Sequence, residues 1–303
     1  MHSYSAVLSA RYSLVTCAVP GWPRKIPGGC AEYAIVRVCC DRGVIRTEAA
    51  PRQLAGAGLA RDTAGLLFVA DMYGVQLDQL ATMLAVSERR ASDVVSRWAG
   101  RGQAEAGRLS PGPRWVWLTR AGLTACGLPY AASPPALARL AHLRAVTAAR
   151  LALEGVPAYA GAGAHWRSER RLRARLGSGL GRREHLPDAE IHWPDHGDTD
   201  PVAAAAGECW AVEVELTAKT LARTTAIMRE LLTRTGDYGA PAAEARVRGR
   251  PPRHARAVYL CSPAASGVVG RARDALGTEG ARVEIRLLPR SFRLPAPAGP
   301  SSS

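Results

Sequence analysis

Lysine is nearly missing from this basic chain. Of its 40 basic residues only Lys25 and Lys219 are lysine, and the other 38 are arginine. With abundant Ala and Gly, that bias points to a GC-rich coding sequence in which surface lysines drift to arginine. A lysine kept at position 219 is therefore worth notice. Long apolar runs are missing too: no stretch approaches the ~20 residues that span a bilayer, so no membrane partner is expected. The apolar N-terminal patch "YSAVLSARYSLVTCAVPGW" is broken by Arg11 and has no basic leader, which argues against a secretory signal. The seven cysteines (17, 30, 39, 40, 126, 209 and 261) are odd in number and lack the paired spacings of a disulfide framework or a zinc site. A reduced cytoplasm is the expected compartment, with most thiols acting as small buried apolar groups.

What the chain does have is positive charge. At 303 residues it carries a formal charge of +14 and a pI near 10.2. A basic balance of this size points to a polyanion, and nucleic acid leads. The length accommodates two ordinary domains, each with its own core.

Residues 1–58 show no sustained periodicity and are expected to form a poorly ordered extension, with Val44 an alternative initiation point. From residue 61 the pattern sharpens. Leu66, Leu67, Val69 and Ala70 mark one helix, and Leu77, Leu80, Met83 and Leu84 a second. "SERRASDVVSRWAGRG" opens on Ser87 as N-cap with Glu88 in the first turn. Its apolar stripe is Ala91, Val94, Val95 and Trp98, spaced i, i+3, i+4, i+7. That spacing leaves Arg89, Arg90 and Arg97 on other faces as candidate DNA contacts. "QAEAGRLSPGPRWVWLTRAGL" reads as a hairpin turning at "SPGP", with Arg114 beside the turn and Thr119 capping a short helix. Trp115 and Trp117 share one face of it and are expected to pack on helices. Three helices and a hairpin give the order of a winged helix-turn-helix domain, over 59–128.

Residues 129–135 read as a linker, 136–290 as an α/β domain with a small mixed sheet, and 291–303 as a disordered tail. The expected elements after the linker are a helix over 135–154 and a second helix around "HWRSERRLRARL". Strands come next in "EHLPDAEIHW" and "CWAVEVEL", then helix, strand, helix and strand. Residues 136–184 hold ten Arg against three acids, so Arg167, Arg170, Arg171 and Arg173 join the candidate DNA contacts. "EARVRGRPPRHAR" adds five Arg against one Glu. Trp166 and Trp193 are expected to anchor a helix on the sheet. His165, His185 and His192 read as surface or packing residues, and Asp195, Asp198 and Asp200 as a solvated loop.

Within "CWAVEVEL", Glu213 and Glu215 point to the same side of a strand, because side chains alternate with period two. Two like charges so placed require a compensating partner. Phosphodiester hydrolysis uses such a cluster: a divalent cation bound by carboxylate oxygens neutralises the phosphate and activates water, and a nearby lysine orients it. The order helix with Glu169, strand with Pro187-Asp188, strand with Glu213-Val-Glu215, helix, strand resembles the core of the PD-(D/E)xK nuclease superfamily. The resemblance implies Glu169, Asp188, Glu213, Glu215 and Lys219 as catalytic residues, with Asp188 and Glu213 holding Mg²⁺ or Mn²⁺. The chain departs from that motif where Glu215 takes the usual place of the lysine and Lys219 lies at the strand-to-helix junction. From the winged helix through "HLRAVTAARLAL", "WRSER", "LPDAEIHW" and "VEVELTAKT", roughly residues 60 to 290, the chain resembles the plasmid replication-relaxation family of actinobacterial proteins. That resemblance implies double-stranded DNA as partner, in plasmid or mobile-element replication or transfer, with a relaxase or replication protein as a further partner. Two function classes are open: a metal-dependent DNA nickase, or a non-enzymatic DNA-binding adaptor with a degenerate nuclease-like fold.

Overall fold

In the computed structural model the described residues are 37–41, 44–48, 56–155, 164–176, 185–193, 207–236, 238 and 251–288, with side chains described from residue 60 onward. The protein is of mixed α+β class. Within the extension expected to lack regular structure, strands β1 (Arg37–Asp41) and β2 (Val44–Glu48) form an antiparallel pair. The remainder of 1–55, the Asp195–Asp200 loop and the 291–303 tail lie outside the described residues.

The first module runs α1 (Gly56–Asp71), β3 (Val75–Gln76), α2 (Leu77–Met83), α3 (Glu88–Gly100), β4 (Ala104–Gly107), β5 (Trp115–Leu118) and α4 (Arg120–Ala125). Its three strands lie in the order β3-β5-β4, all antiparallel. Helix α3 starts where the sequence places it, because the Ser87 hydroxyl accepts the Arg90 amide at 3.3 Å. Its stripe of Ala91, Val94, Val95 and Trp98 is buried against Phe68, Val69 and Leu80. Thr119 caps α4 by accepting from the Gly122 amide at 3.1 Å. Gly122 is required there, since an added Cβ would lie 2.0 Å from the Gln103 carbonyl oxygen. Trp115 packs with Leu140 and Leu143 of the following helix, and Tyr73 and Leu109 of its own module join the same cluster.

That following helix is α5 (Leu140–Glu154), preceded by a short 3-10 turn. The expected helix around "HWRSERRLRARL" is corrected: residues His165–Ser168 form strand β6, and only Glu169–Leu176 form helix α6. Trp166 and Arg167 alternate sides as strand residues do, and the Ser168 hydroxyl accepts the Arg171 amide at 3.2 Å, starting the helix there. Then come β7 (Ala189–His192), β8 (Cys209–Glu215), α7 (Leu221–Thr233), β9 (Arg256–Cys261), α8 (Pro263–Asp274) and β10 (Val283–Leu287). The five strands lie in the order β10-β9-β8-β7-β6. Strands β8, β9 and β10 are parallel, joined by helices α7 and α8, whereas β6, β7 and β8 pair antiparallel.

Each face of this sheet has its own cover. Ala211, Ala257, Tyr259 and Cys261 pack under Met228, Leu231 and Val269 of α7 and α8. The opposite face, with Trp166, Ile191, Val212, Val214 and Leu260, packs on Val146 and Ala149 of α5. Trp166 and Trp193 thus belong to the sheet side of that contact. The same apolar cluster continues into the first module through Phe68, Leu80 and Trp98. Tyr130, in the expected linker, is buried and its hydroxyl donates to Asp71 at 3.1 Å.

Candidate functional site

The β7–β8 register pairs Ala189 with Val212. Continued by one residue, it sets Asp188 opposite Glu213. Alternation puts Glu190, Glu213 and Glu215 on the sheet face covered by α7 and α8, whereas Asp188, one residue before β7, turns its side chain to His142 of α5. Glu213 and Glu215 are therefore interior groups, 2% and 5% exposed. Burial of charge is tolerated only with a partner, and each acid has its own.

Asp188 accepts the Val214 amide at 2.8 Å on one oxygen and lies 2.7 Å from His142 Nε2 with the other. Its carbonyl accepts the Glu169 amide at 2.9 Å, so this one residue ties β8 to the start of α6. Glu213 lies 2.7 Å from His185 Nε2. Glu215 accepts from Lys219, which reaches back four residues across the bend after the strand end. Glu169 holds Arg139 at 2.8 Å and Arg173 at 2.5 Å. The compensating partners of the two neighbouring glutamates are thus an imidazole and the rare lysine.

The electrostatics derive from burial. Desolvation pushes the Glu213 carboxyl up to about 7, against the pull of His185, and Asp188 nearby adds to the rise. Burial alone would lower the His185 imidazole, but the charge and hydrogen bond of Glu213 outweigh it and the pKa is raised. Burial also opposes protonation of His142, where the hydrogen bond to Asp188 wins and the pKa is likewise raised.

Mg²⁺ takes one or two carboxylates plus waters, so Asp188 and Glu213 suit such an ion by donor type. A buried carboxyl that ionises with difficulty is also one that a cation would favour in its charged form. Asp188, Glu213 and Glu215 with their histidines nevertheless bring no three ligand atoms within 4.8 Å of one another among the described residues. The trio that does so is Glu190, Cys209 and His254. Its thiol and imidazole are poor donors for Mg²⁺. Glu190 is also already neutralised: Arg253 grips both its oxygens at 2.7 and 3.0 Å, Arg167 approaches at 3.4 Å, and His192 lies at 2.7 Å. This arrangement is a structural hub that holds the 253–254 segment to the sheet.

The arginines divide sharply. Arg89, Arg90, Arg97 and Arg114 are exposed on α3 and the β4–β5 hairpin. Arg114 donates to Ser92 at 2.9 Å, fixing the hairpin against α3, and Arg97 reaches Asp62 at 3.3 Å. Arg173 is half exposed. By contrast, Arg167 is buried on Glu190, and Arg170 donates to the carbonyls of Ala70 at 2.7 Å and Ala131 at 2.6 Å. Arg171 donates to Asp71 at 3.0 Å. These three join elements of the protein to one another, with Arg167 and Arg170 buried and Arg171 mostly so. From the "EARVRGRPPRHAR" stretch, Arg253 is held by Glu190 and Arg256 lies over Trp210, while Arg246, Arg248 and Arg250 lie outside the described residues.

Sequence reading missed Glu190, two residues after Asp188, and it missed His142. Only the shared parity of Glu190 with Asp188 signalled the first. Nothing local marks His142, 46 residues from its partner. His185, read as a bland residue, is the partner of Glu213. No protein-family model matches the chain, and no curated protein matches it either. The family resemblance therefore stands on the quoted motifs alone.

Proposed function

We propose that this protein binds double-stranded DNA through a winged helix-turn-helix formed by residues 59–128, in which α3 is the recognition helix and the β4–β5 hairpin the wing. The carrying observation is α3 itself. Its apolar stripe is wholly committed to the core, and Arg89, Arg90 and Arg97 are left outside beside the exposed Arg114 of the hairpin. Exposed arginines on one helix and an adjacent hairpin suit phosphate contacts, which dominate affinity for duplex DNA. In this reading the α/β domain is restriction-endonuclease-like. Its mixed sheet brings Glu213 and Glu215 to one face, with Asp188 at the start of the adjacent strand and Lys219 beyond the strand end.

For a DNA-nicking centre, Asp188 and Glu213 would hold Mg²⁺ or Mn²⁺, and the ion when bound supplies charge neutralisation at the phosphate and an acidified water. The chain's own contributions are distinct. Glu215 positions the Lys219 ammonium, and His142 and His185 keep the two acids oriented and accept or return protons at Nε2. The setting is plasmid or mobile-element DNA, as the family resemblance implies. A second reading has a specific observation behind it: every acid of the cluster already has an internal partner, as befits a non-enzymatic adaptor that recruits a relaxase or replication protein.

The test is nicking of supercoiled plasmid with Mg²⁺ or Mn²⁺, using Asp188→Asn and Glu213→Gln to preserve shape. The nickase reading expects each substitution to abolish cleavage while DNA binding persists. Wild-type protein that binds DNA but never cleaves supercoiled, branched or single-stranded substrates would leave the adaptor reading.

A further inference from the structure

Glu169 does not present its carboxylate to the Asp188–Glu213 pair. Its two oxygens are taken up by different arginines, Arg139 Nη2 at 2.8 Å and Arg173 Nη2 at 2.5 Å. The exposures run in one direction: the Glu169 side chain is 14% exposed, that of Arg139 40% and that of Arg173 52%. One inner negative charge therefore carries two outer positive ones. We propose that Arg139 and Arg173 form a clamp for a phosphate group of a nucleic acid, at the mouth of the cleft that leads to His142 and Asp188.

The clamp is built and held rigidly. Arg139 lies over the Tyr73 ring at 5.3 Å, and Arg170 lies against the same ring at 4.7 Å. Tyr73 keeps that place through a left-handed backbone, φ 62°, which a non-glycine residue adopts only when its surroundings fix it. Glu169 is fixed by its amide bond to the Asp188 carbonyl. The cleft is lined by Tyr73, Arg139, His142, Glu169, Arg170 and Asp188.

Charge and donor count select the ligand. Guanidinium offers five N–H donors, and each arginine commits only part of them to Glu169, leaving donors on both for a multi-oxygen anion. Arginine pairs bind phosphate bidentately and favour it over a point-like anion. Beyond Glu169, whose single charge the two guanidiniums outweigh, the neighbouring acid Asp188 is covered on one oxygen by His142 and on the other by the Val214 amide. The inference deepens the DNA-binding reading without sharing its surface, since none of the α3 or hairpin arginines takes part.

The test compares wild-type protein with Arg139→Gln/Arg173→Gln by fluorescence anisotropy on two duplexes, one without terminal phosphates and one carrying 5′-phosphates, over a range of salt. The clamp predicts that the slope of log K against log salt is shallower in the variant by roughly 1, near 0.9 for the one phosphate it holds. A difference on both duplexes assigns an internal phosphodiester to the clamp, and a difference on the 5′-phosphorylated duplex alone assigns a strand end. Equal slopes and affinities on both duplexes overturn it. Should the double variant not fold, Arg173→Gln alone must weaken binding and make the slope shallower, by up to roughly 1, because that side chain is half exposed. If wild-type protein binds neither duplex, the DNA reading falls and the clamp is judged by inorganic phosphate. A rise in Tm with phosphate, absent from the variant, supports it; the same response in both proteins overturns it.

Discussion

The tetrapeptide Ser-Glu-Arg-Arg occurs twice, at 87–90 and at 168–171, and the two copies behave oppositely. Both start a helix in the same way, with the serine hydroxyl accepting the amide of the second arginine, at 3.3 Å and 3.2 Å. In the first copy Arg89 and Arg90 are exposed; in the second Arg170 is buried and Arg171 is bound to Asp71. The residues C-terminal to each copy decide the outcome. Helix α3 continues into four buried apolar residues, which claim the core face and force the arginines outward. Among the described side chains of α6 only Leu172 is a buried apolar residue, and the helix lies against the C-terminal end of α1. Unpaired carbonyls and negative dipole gather at a helix C-terminus, and guanidinium satisfies both. Arginine is thus an exposed surface group in one place and an internal strut in the other, and composition alone does not distinguish them.

The inner arginines can be tested hardest. Glu190→Ala would leave Arg253 and Arg167 buried without their counter-charge, and we expect a loss of about 3–5 kcal/mol in urea or thermal unfolding. Arg170→Ala leaves the Ala70 and Ala131 carbonyls short of a donor and strips the Tyr73 and Tyr130 rings of a stacked guanidinium. A loss of about 2–3 kcal/mol is expected, whereas Arg90→Ala should stay within about 0.5 kcal/mol. Equal effects from Arg170 and Arg90 would erase the contrast between the two copies. The caps sharpen it from the other side: Ser87→Ala and Ser168→Ala should each cost about 1 kcal/mol, since the local geometry is the same.

A smaller effect concerns pH, because His185 offsets part of the burial penalty on Glu213. The Glu213 carboxyl titrates near 7 in the fold, above its ordinary 4.5, so the folded state holds this proton more tightly than the unfolded chain. Its contribution is present below about pH 4.5 and is lost as pH rises through about 7. The raised His185 imidazole acts in the same direction, stabilising below its ordinary 6.5 and losing that contribution above its folded value. Wild-type Tm should therefore fall more steeply from acid toward neutral pH than that of Glu213→Gln. Parallel curves would remove the coupling.

Much of the fold is written in local periodicity. The α3 stripe, the Ser87 and Thr119 caps and the alternation in β8 are set by residues within one or two turns of each other. The opposition of Asp188 and Glu213 derives from strand order and parity. Burial of Glu190 is not legible, because "AEIH" alternates as a half-solvated strand would, and Arg253 and His254, more than 60 residues away, close over its polar side. Nor does the chain show locally that His142 and His185 lie 46 and 28 residues from the acids they hold. The strand at His165–Ser168 is hidden by the arginine-rich helix directly after it.

The central claim is that the outward arginines of α3, and not the inward ones of α6, meet DNA. It is tested most directly by anisotropy titrations of a duplex against wild-type protein and Arg89→Ala/Arg90→Ala at several salt concentrations. We expect wild-type binding to weaken steeply with salt, with a log–log slope on the order of −3 or steeper, and the double variant to lose roughly 2 from that magnitude while keeping its Tm. Binding that ignores salt, or a double variant that binds as tightly and with the same slope as wild type, would contradict the account.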